Sequence, residues 1–126
     1  MNPMNLALWI AQGLLCVAFL MAGFVKVFAF EKFKADAENR SPNRGVGLSK
    51  QLVTFIGVCE FAGAAGVIVP RATWILPWLT PLAALGLAVI MVLAAVYHLR
   101  RQEQVFVQFI LFVLAGFVAV GRFLHY

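Results

Sequence analysis

The chain has 126 residues, of which 63% are hydrophobic and 12% are charged, and its formal net charge is +5. A mean hydropathy of +0.94 excludes an ordinary soluble domain and indicates an all-α integral membrane protein. The basic residues gather in two loops without a nucleic-acid-binding motif, so we interpret them as topology signals and lipid contacts rather than as a nucleic-acid surface.

The apolar segments predict a four-helix bundle in one membrane domain, because four of them are about as long as the twenty residues that a helix needs to cross a bilayer. The first segment lacks a basic leading region, so we expect it to be retained rather than cleaved as a signal peptide. Its one strongly polar side chain, Gln12, predicts an interhelical hydrogen bond. The domain covers 1–126, with helices at about 6–28, 50–69, 74–98 and 105–123.

A short interfacial helix is predicted in the loop 29–49, directly after the first membrane helix. Phenylalanines alternate there with charged residues, and Lys32 and Asp36 are spaced to form an i, i+4 ion pair. The stretch RSPNRGVG then breaks the helix. Ser49 is the predicted N-cap of the second membrane helix.

The second and third helices carry the residues that we expect to permit close packing. Gly57, Ala62, Gly63 and Gly66 are small residues on the second helix, and Ala62 and Gly66 have the small-xxx-small spacing. On the third helix, Pro81 lies deep enough in the predicted span to bend it.

The second helix also holds one carboxylate, Glu60, near the middle of GVCEFAGAAGVIVP. An acidic side chain at the bilayer centre costs about 2.5–3.5 kcal/mol on insertion scales, so we expect Glu60 to face other helices, to pair with a cation or to be protonated. Lys26 ends the first helix in the same half of the membrane, and its extended side chain reaches toward Glu60. A Lys26–Glu60 pair is therefore geometrically possible, and with Tyr97 and His98 above it the pair would form a polar pocket that opens toward the charged loops.

Together these four residues form the hypothetical ligand-binding site, which would hold an anionic or quinone-like head group with its tail between the helices. Two alternatives remain open on the same residues. Lys26 near a helix end also fits a side chain that reaches the lipid head groups, and the whole set also fits a structural hydrogen-bond network that fixes helix packing.

The sequence offers little for catalysis or metal binding. Cys16 and Cys59 lie in separate apolar segments without a CxxC motif, and no serine or cysteine nucleophile stands beside a base. We predict no catalytic residue, no metal site and no intrinsic cofactor. A bound quinone is the cofactor that the hypothetical pocket would suit.

Orientation follows from the lysines and arginines, most of which lie in the loops after the first and third helices. The positive-inside rule places these two charged loops in the cytoplasm and both termini outside. Stripes of small residues on the helices also fit a homo-oligomer.

Three segments resemble the DoxX-like family of small four-helix membrane proteins: LMAGFVK, GVCEFAGAAGVIVP and TPLAALGLAVIMVLAAVYHLRRQE. The resemblance spans nearly the whole chain and makes Lys26, Glu60, Pro81, Met91 and His98 the family-pattern positions. It implies a location in the bacterial inner membrane. Founding members are subunits linked to a thiosulfate:quinone oxidoreductase, and other relatives are associated with membrane redox complexes or with assembly of membrane proteins.

Three functions follow as hypotheses. The first is an accessory or anchor subunit beside a quinone-linked membrane oxidoreductase, with other membrane protein subunits and the lipid bilayer as partners. The second is an assembly or packing factor without a small ligand. The third is a small proton-coupled transporter that uses Glu60, by analogy with the small multidrug exporters, although their glutamate lies in the first helix.

Overall fold

The computed structural model describes residues 2–42, 45 and 47–125, with the His125 side chain left aside, and within these residues the fold is all-helical. Four helical spans are long and apolar enough to cross a membrane: Pro3–Phe28, Lys50–Thr73, Leu79–Arg100 and Phe106–Leu124. The helices are α1 Pro3–Phe28, α2 Phe30–Arg40, α3 Lys50–Gly66, α4 Val69–Thr73, α5 Leu79–Arg100 and α6 Phe106–His125.

The four spans form a closed bundle in which α1 packs against α3 and α6, and α5 packs against the same two helices. The interior consists largely of small and aliphatic residues, and it also contains polar side chains. The outward surface carries large apolar residues on every span, as a lipid-facing surface requires. The shared core is formed by Ala11, Leu15, Phe19, Ala64, Val67, Ala84, Leu87, Ala88, Met91, Ala115, Val118 and Ala119.

Local signals explain where several elements begin. The Asn2 side chain accepts a hydrogen bond from the Asn5 amide at 2.7 Å and caps α1. Ser49 caps α3 as predicted, since its hydroxyl accepts from the Leu52 amide at 3.1 Å. A helix, α2, is also present where the interfacial helix was predicted, and its Lys32–Asp36 pair lies at 3.1 Å.

The start of the third membrane helix differs from the prediction. The helix α5 begins at Leu79 instead of near Trp74, because Trp74 and Leu76 adopt positive φ angles of 59° and 51° that a right-handed helix does not permit. Pro81 therefore lies in the first turn of α5, where its missing amide has no helical acceptor to lose. Because no helical hydrogen bond is lost at Pro81, the proline gives no reason for α5 to bend there. Pro77 lies outside α5, in the turn that precedes it.

The second membrane helix also ends earlier than expected. The helix α3 stops at Gly66, and the short helix α4 continues the span with Pro70 near its beginning. A proline in the first turn of a new helix again costs no hydrogen bond. The span therefore consists of two helices that meet at Val67 and Ile68.

Candidate functional site

Two facing glycines bring α1 and α3 into close contact. A Cβ atom at Gly23 would lie 2.8 Å from the carbonyl oxygen of Gly57, and a Cβ at Gly57 would lie 2.9 Å from the Cβ of Lys26. Neither position has room for a side chain, so the two backbones approach as closely as glycine permits. This crossing fixes the positions of the residues one turn further along each helix.

The crossing explains why Lys26 and Glu60 meet. Each residue follows its glycine by three positions, about 4.5 Å along its helix, and the two helices run in opposite directions. Side chains on a helix tilt toward its N-terminus, so Lys26 and Glu60 lean toward each other across the glycine contact. Their Nζ and Oε1 atoms lie 2.9 Å apart, which confirms the predicted pair.

This pair is buried unequally. The Glu60 residue is 2% exposed, whereas the Lys26 side chain is 20% exposed and its ammonium lies 5.5 Å from the centre of the Phe33 ring. The Oε1 atom of Glu60 is within ion-pair distance of Lys26, and no other contact of this atom is observed among the described residues. The pair therefore compensates both charges inside the bundle.

An apolar groove lies on the lipid-facing side of α1 and α3, and its lining does not include Lys26 or Glu60. Two of the residues that line it, Val25 and Phe61, are the chain neighbours of Lys26 and Glu60. The groove has a volume of about 330 Å³, which suits part of an apolar chain rather than a folded peptide. Its other lining residues are Leu20, Met21 and Phe24.

The other two predicted site residues make their contacts elsewhere. The Nδ1 atom of His98 donates to the carboxylate of Glu103, and the Tyr97 ring lies against the guanidinium of Arg101 at 5.2 Å. The observed contacts thus divide the predicted site into two pairs of residues. Lys26 and Glu60 form one site, whereas Tyr97 and His98 belong to a cluster at the turn after α5.

This second cluster, the Glu103 cluster, joins α2 and the following loop to the end of α5. Arg101 donates to Glu103 at 2.9 Å and to the carbonyl oxygens of Ala37 and Gly45 at 3.2 and 2.6 Å. Ser41 donates to the same carboxylate, and Arg40 adds a longer contact at 3.4 Å. The cluster connects segments about sixty residues apart and fastens the interfacial helix to the bundle.

The electrostatics of Glu103 follow from these contacts. Burial of the side chain, which is 3% exposed, opposes ionisation of the carboxyl group. This effect of burial is outweighed by hydrogen bonds from Ser41, Arg101 and His98 and by the charge of Arg40. The pKa of Glu103 is therefore lowered from 4.5 to about 2. Glu103 is therefore a structural carboxylate that stays ionised at neutral pH.

The glycines of α3 divide their packing between two neighbours. Gly57 faces α1, whereas a Cβ at Gly63 would meet Leu87 at 2.5 Å and one at Gly66 would meet Ala83 at 2.7 Å, both on α5. Ala62 is exposed in the single chain, so Gly63 and Gly66 form the close approach to α5.

At the opposite end of the bundle, a buried polar group centres on Gln12. Its amide nitrogen donates to the carbonyl of Val67 at 2.6 Å, and its oxygen accepts from Arg122 Nε at 2.7 Å. The predicted interhelical hydrogen bond of Gln12 is confirmed, and its contacts link α1 to the junction of α3 and α4 and to α6. Sequence reasoning missed Arg122, which it counted only as a topology charge, and the available signal was a basic residue inside an apolar helix far from any acid.

The fold and these buried polar contacts define a four-helix integral membrane protein with an intramembrane ion pair. The model of the DoxX-like family matches residues 10–120, so the chain belongs to that family. The matched region contains both Lys26 and Glu60. No curated protein and no solved structure matches the chain.

Proposed function

We propose that the protein is an accessory membrane subunit of a quinone-linked oxidoreductase and that Lys26 and Glu60 bind the quinone head group. The observation that supports this most is that α1 and α3 carry both the buried Lys26–Glu60 ion pair and an apolar groove on their lipid-facing side. A quinone needs the same combination, a polar contact for its ring oxygens and an apolar surface for its tail.

Lys26 suits the role of the donor to a quinone oxygen. Its ammonium carries three protons, and it is the more exposed partner of the pair. Glu60 holds the Lys26 ammonium in place through their contact at 2.9 Å, and its carboxylate can accept a proton from a reduced ring. In this proposal the redox centre belongs to a partner subunit, and this chain supplies part of the binding site.

The proposed quinone site consists of Lys26 and Glu60. A role of Tyr97 and His98 in binding the quinone stays a prediction. Their contacts with Arg101 and Glu103 suit a structural role at the membrane surface. A quinone tail in the groove would run along α1 toward Leu20, away from the charged loops. The ring would then lie at the level of the glycine crossing.

The test is native mass spectrometry of the protein extracted gently from its own membrane, which records both protein partners and bound small molecules. We expect a stoichiometric oxidoreductase subunit and a retained quinone, with the quinone lost in Lys26→Met. The matched control is Lys50→Met, because Lys50 also lies over a phenylalanine ring, at 5.6 Å from Phe30, but outside the bundle interior.

The alternatives give different results in the same preparation. Retention of protein partners without quinone, and with no effect of Lys26→Met, would support an assembly factor instead. Absence of any oxidoreductase partner would overturn the proposal. Proton-coupled uptake into vesicles that is lost in Glu60→Gln would support the transporter, since Glu60 is the one buried carboxylate within the described spans.

A further inference from the structure

The end of the bundle near the start of α1 contains a buried positive charge. Arg122 is 1% exposed, and it donates from Nε to the Gln12 side chain at 2.7 Å and from Nη1 to the Asn5 side chain at 2.8 Å. Both acceptors are neutral amide oxygens. Within the described part of the chain, Nη2 of Arg122 is buried without a hydrogen-bond partner.

None of the acidic side chains balances this charge. The sequence contains five aspartates and glutamates, and three of them lie in α2, at the other end of the bundle. Of the remaining two, Glu60 pairs with Lys26 and Glu103 pairs with Arg101. Among the described residues, the buried Arg122 guanidinium has no carboxylate partner, which is strongly unfavourable, and the carbonyl end of α6 offsets only part of its charge.

Two further side chains at this end add to the imbalance. Arg71 is close enough to repel Arg122 electrostatically, and its guanidinium lies over the Trp74 ring at 4.3 Å. Thr80 is 0% exposed, and its hydroxyl has no partner among the described residues. Thr80 opens α5 and Arg122 is near the end of α6, so these adjacent antiparallel helices place both at the same end.

We propose that Arg122 and Thr80 form a binding site for an oxyanion of the phosphate class at this end of the bundle. The buried Nη2 of Arg122 donates to one oxygen and the Thr80 hydroxyl to another, while Arg71 adds positive charge. Guanidinium groups match the geometry of tetrahedral oxyanions, and an anion here satisfies the charge and both hydrogen-bond donors. The site lies near the end of the span Phe106–Leu124, at the depth where lipid phosphates and dissolved phosphate both occur.

Tryptophan fluorescence provides the test, because the Trp9 ring lies 5.3 Å from the Arg122 guanidinium. The full chain, delipidated in a phosphate-free detergent, is titrated with inorganic phosphate against chloride at equal ionic strength. In a second arm, it is placed in nanodiscs of phosphatidylglycerol or of a neutral galactolipid, which lacks phosphate. We expect a saturable change with phosphate, with phosphatidylglycerol or with both, and the two arms distinguish a free oxyanion from a lipid head group.

Three variants make the result specific. Arg122→Lys keeps a positive charge but loses the planar donor group, and we expect it to weaken binding at least tenfold. Thr80→Val replaces the buried hydroxyl by a methyl group of similar size, so it preserves the fold even if an Arg122 variant does not, and we expect several-fold weaker binding. Lys34→Gln removes an exposed positive charge from α2 and should leave binding unchanged.

The proposal is overturned if phosphate and phosphatidylglycerol produce no more change than chloride and galactolipid. It is also overturned if Lys34→Gln weakens binding as much as Arg122→Lys, since the effect would then reflect net charge. Unchanged binding in Thr80→Val together with Arg122→Lys would equally exclude this site. The test is independent of the quinone proposal, because it concerns the other end of the bundle.

Discussion

The two ends of the bundle differ in the partners of their buried positive charges. At the end that carries the charged loops, Lys26 has Glu60 and Arg101 has Glu103 as a partner. At the opposite end, Arg122 has only the amide oxygens of Gln12 and Asn5 among its observed hydrogen-bond acceptors. Among the described residues, the buried cations of the first end are paired with carboxylates, whereas Arg122 at the second end is not. Variants that disturb one end at a time measure this difference.

The largest effect is expected from breaking the intramembrane ion pair. Lys26→Met leaves the Glu60 carboxylate buried without a cation, which should lower the free energy of unfolding by about 3–5 kcal/mol. The double variant Lys26→Met/Glu60→Leu removes both charges and should recover most of this loss. Denaturant unfolding in mixed micelles measures both, and a double variant as unstable as the single one would show that packing rather than charge dominates here.

The Glu103 cluster should make stability depend on acid. Because the pKa of Glu103 in the folded protein is about 2, below its ordinary 4.5, the ionised carboxylate stabilises the fold fully above about pH 4.5. This contribution, about 3 kcal/mol, is lost as the pH falls from 4.5 toward 2. Unfolding measured between pH 7 and 3 should show the loss, and Glu103→Gln should flatten that profile. The exposed Glu38 provides a control, and a Glu38→Gln variant that flattened the profile equally would contradict the assignment.

At the opposite end, Gln12→Leu should lower the free energy of unfolding by about 2 kcal/mol, because it leaves Arg122 Nε and the Val67 carbonyl without their partner. Gln108→Leu is the matched control, since Gln108 lies in the groove between α5 and α6 and its replacement should cost less than about 1 kcal/mol. Thermal or denaturant unfolding compares the two. Equal losses would mean that the Gln12 contacts contribute no special stability.

The smallest effect separates packing from charge at the ion-pair end. Gly23→Ala places a methyl group against the Gly57 carbonyl oxygen and should destabilise the fold by about 1–2 kcal/mol. Gly86→Ala meets nothing within 4 Å and should be neutral or stabilise by up to about 1 kcal/mol through helix propensity. The same unfolding assay serves for both, and similar values for the two would show that α1 and α3 can separate without cost.

The sequence predicted the features that depend on depth and periodicity. The Lys26–Glu60 pair follows from the helix rise, the direction of each span and the cost of an isolated carboxylate in hydrocarbon. Gln12 follows from the same cost applied to an amide, and the Ser49 cap is a local signal. Each of these required only the position of a residue along its own helix.

Features that depend on the direction around a helix, or on irregular backbone, were not predictable. The predicted depth of Tyr97 and His98, at the end of α5, is correct. Depth gives no information on which neighbour each side chain faces, and His98 and Arg101 both donate to the carboxylate of Glu103 in the next turn. The late start of α5 depends on positive φ angles at Trp74 and Leu76, which neither residue favours. The role of Arg122 required knowing that Gln12 and Asn5 lie beside it.

The Glu103 cluster also constrains the order in which the protein is made. Ala37 and Gly45 leave the ribosome well before Arg101, which binds both of their carbonyl oxygens. The contacts of α2 and its loop with Arg101 therefore form only after α5 and the turn that follows it have been synthesised. A protease added during synthesis should cut this loop in chains that end before Arg101 and spare it in longer ones, so protection of the loop marks the completion of α5.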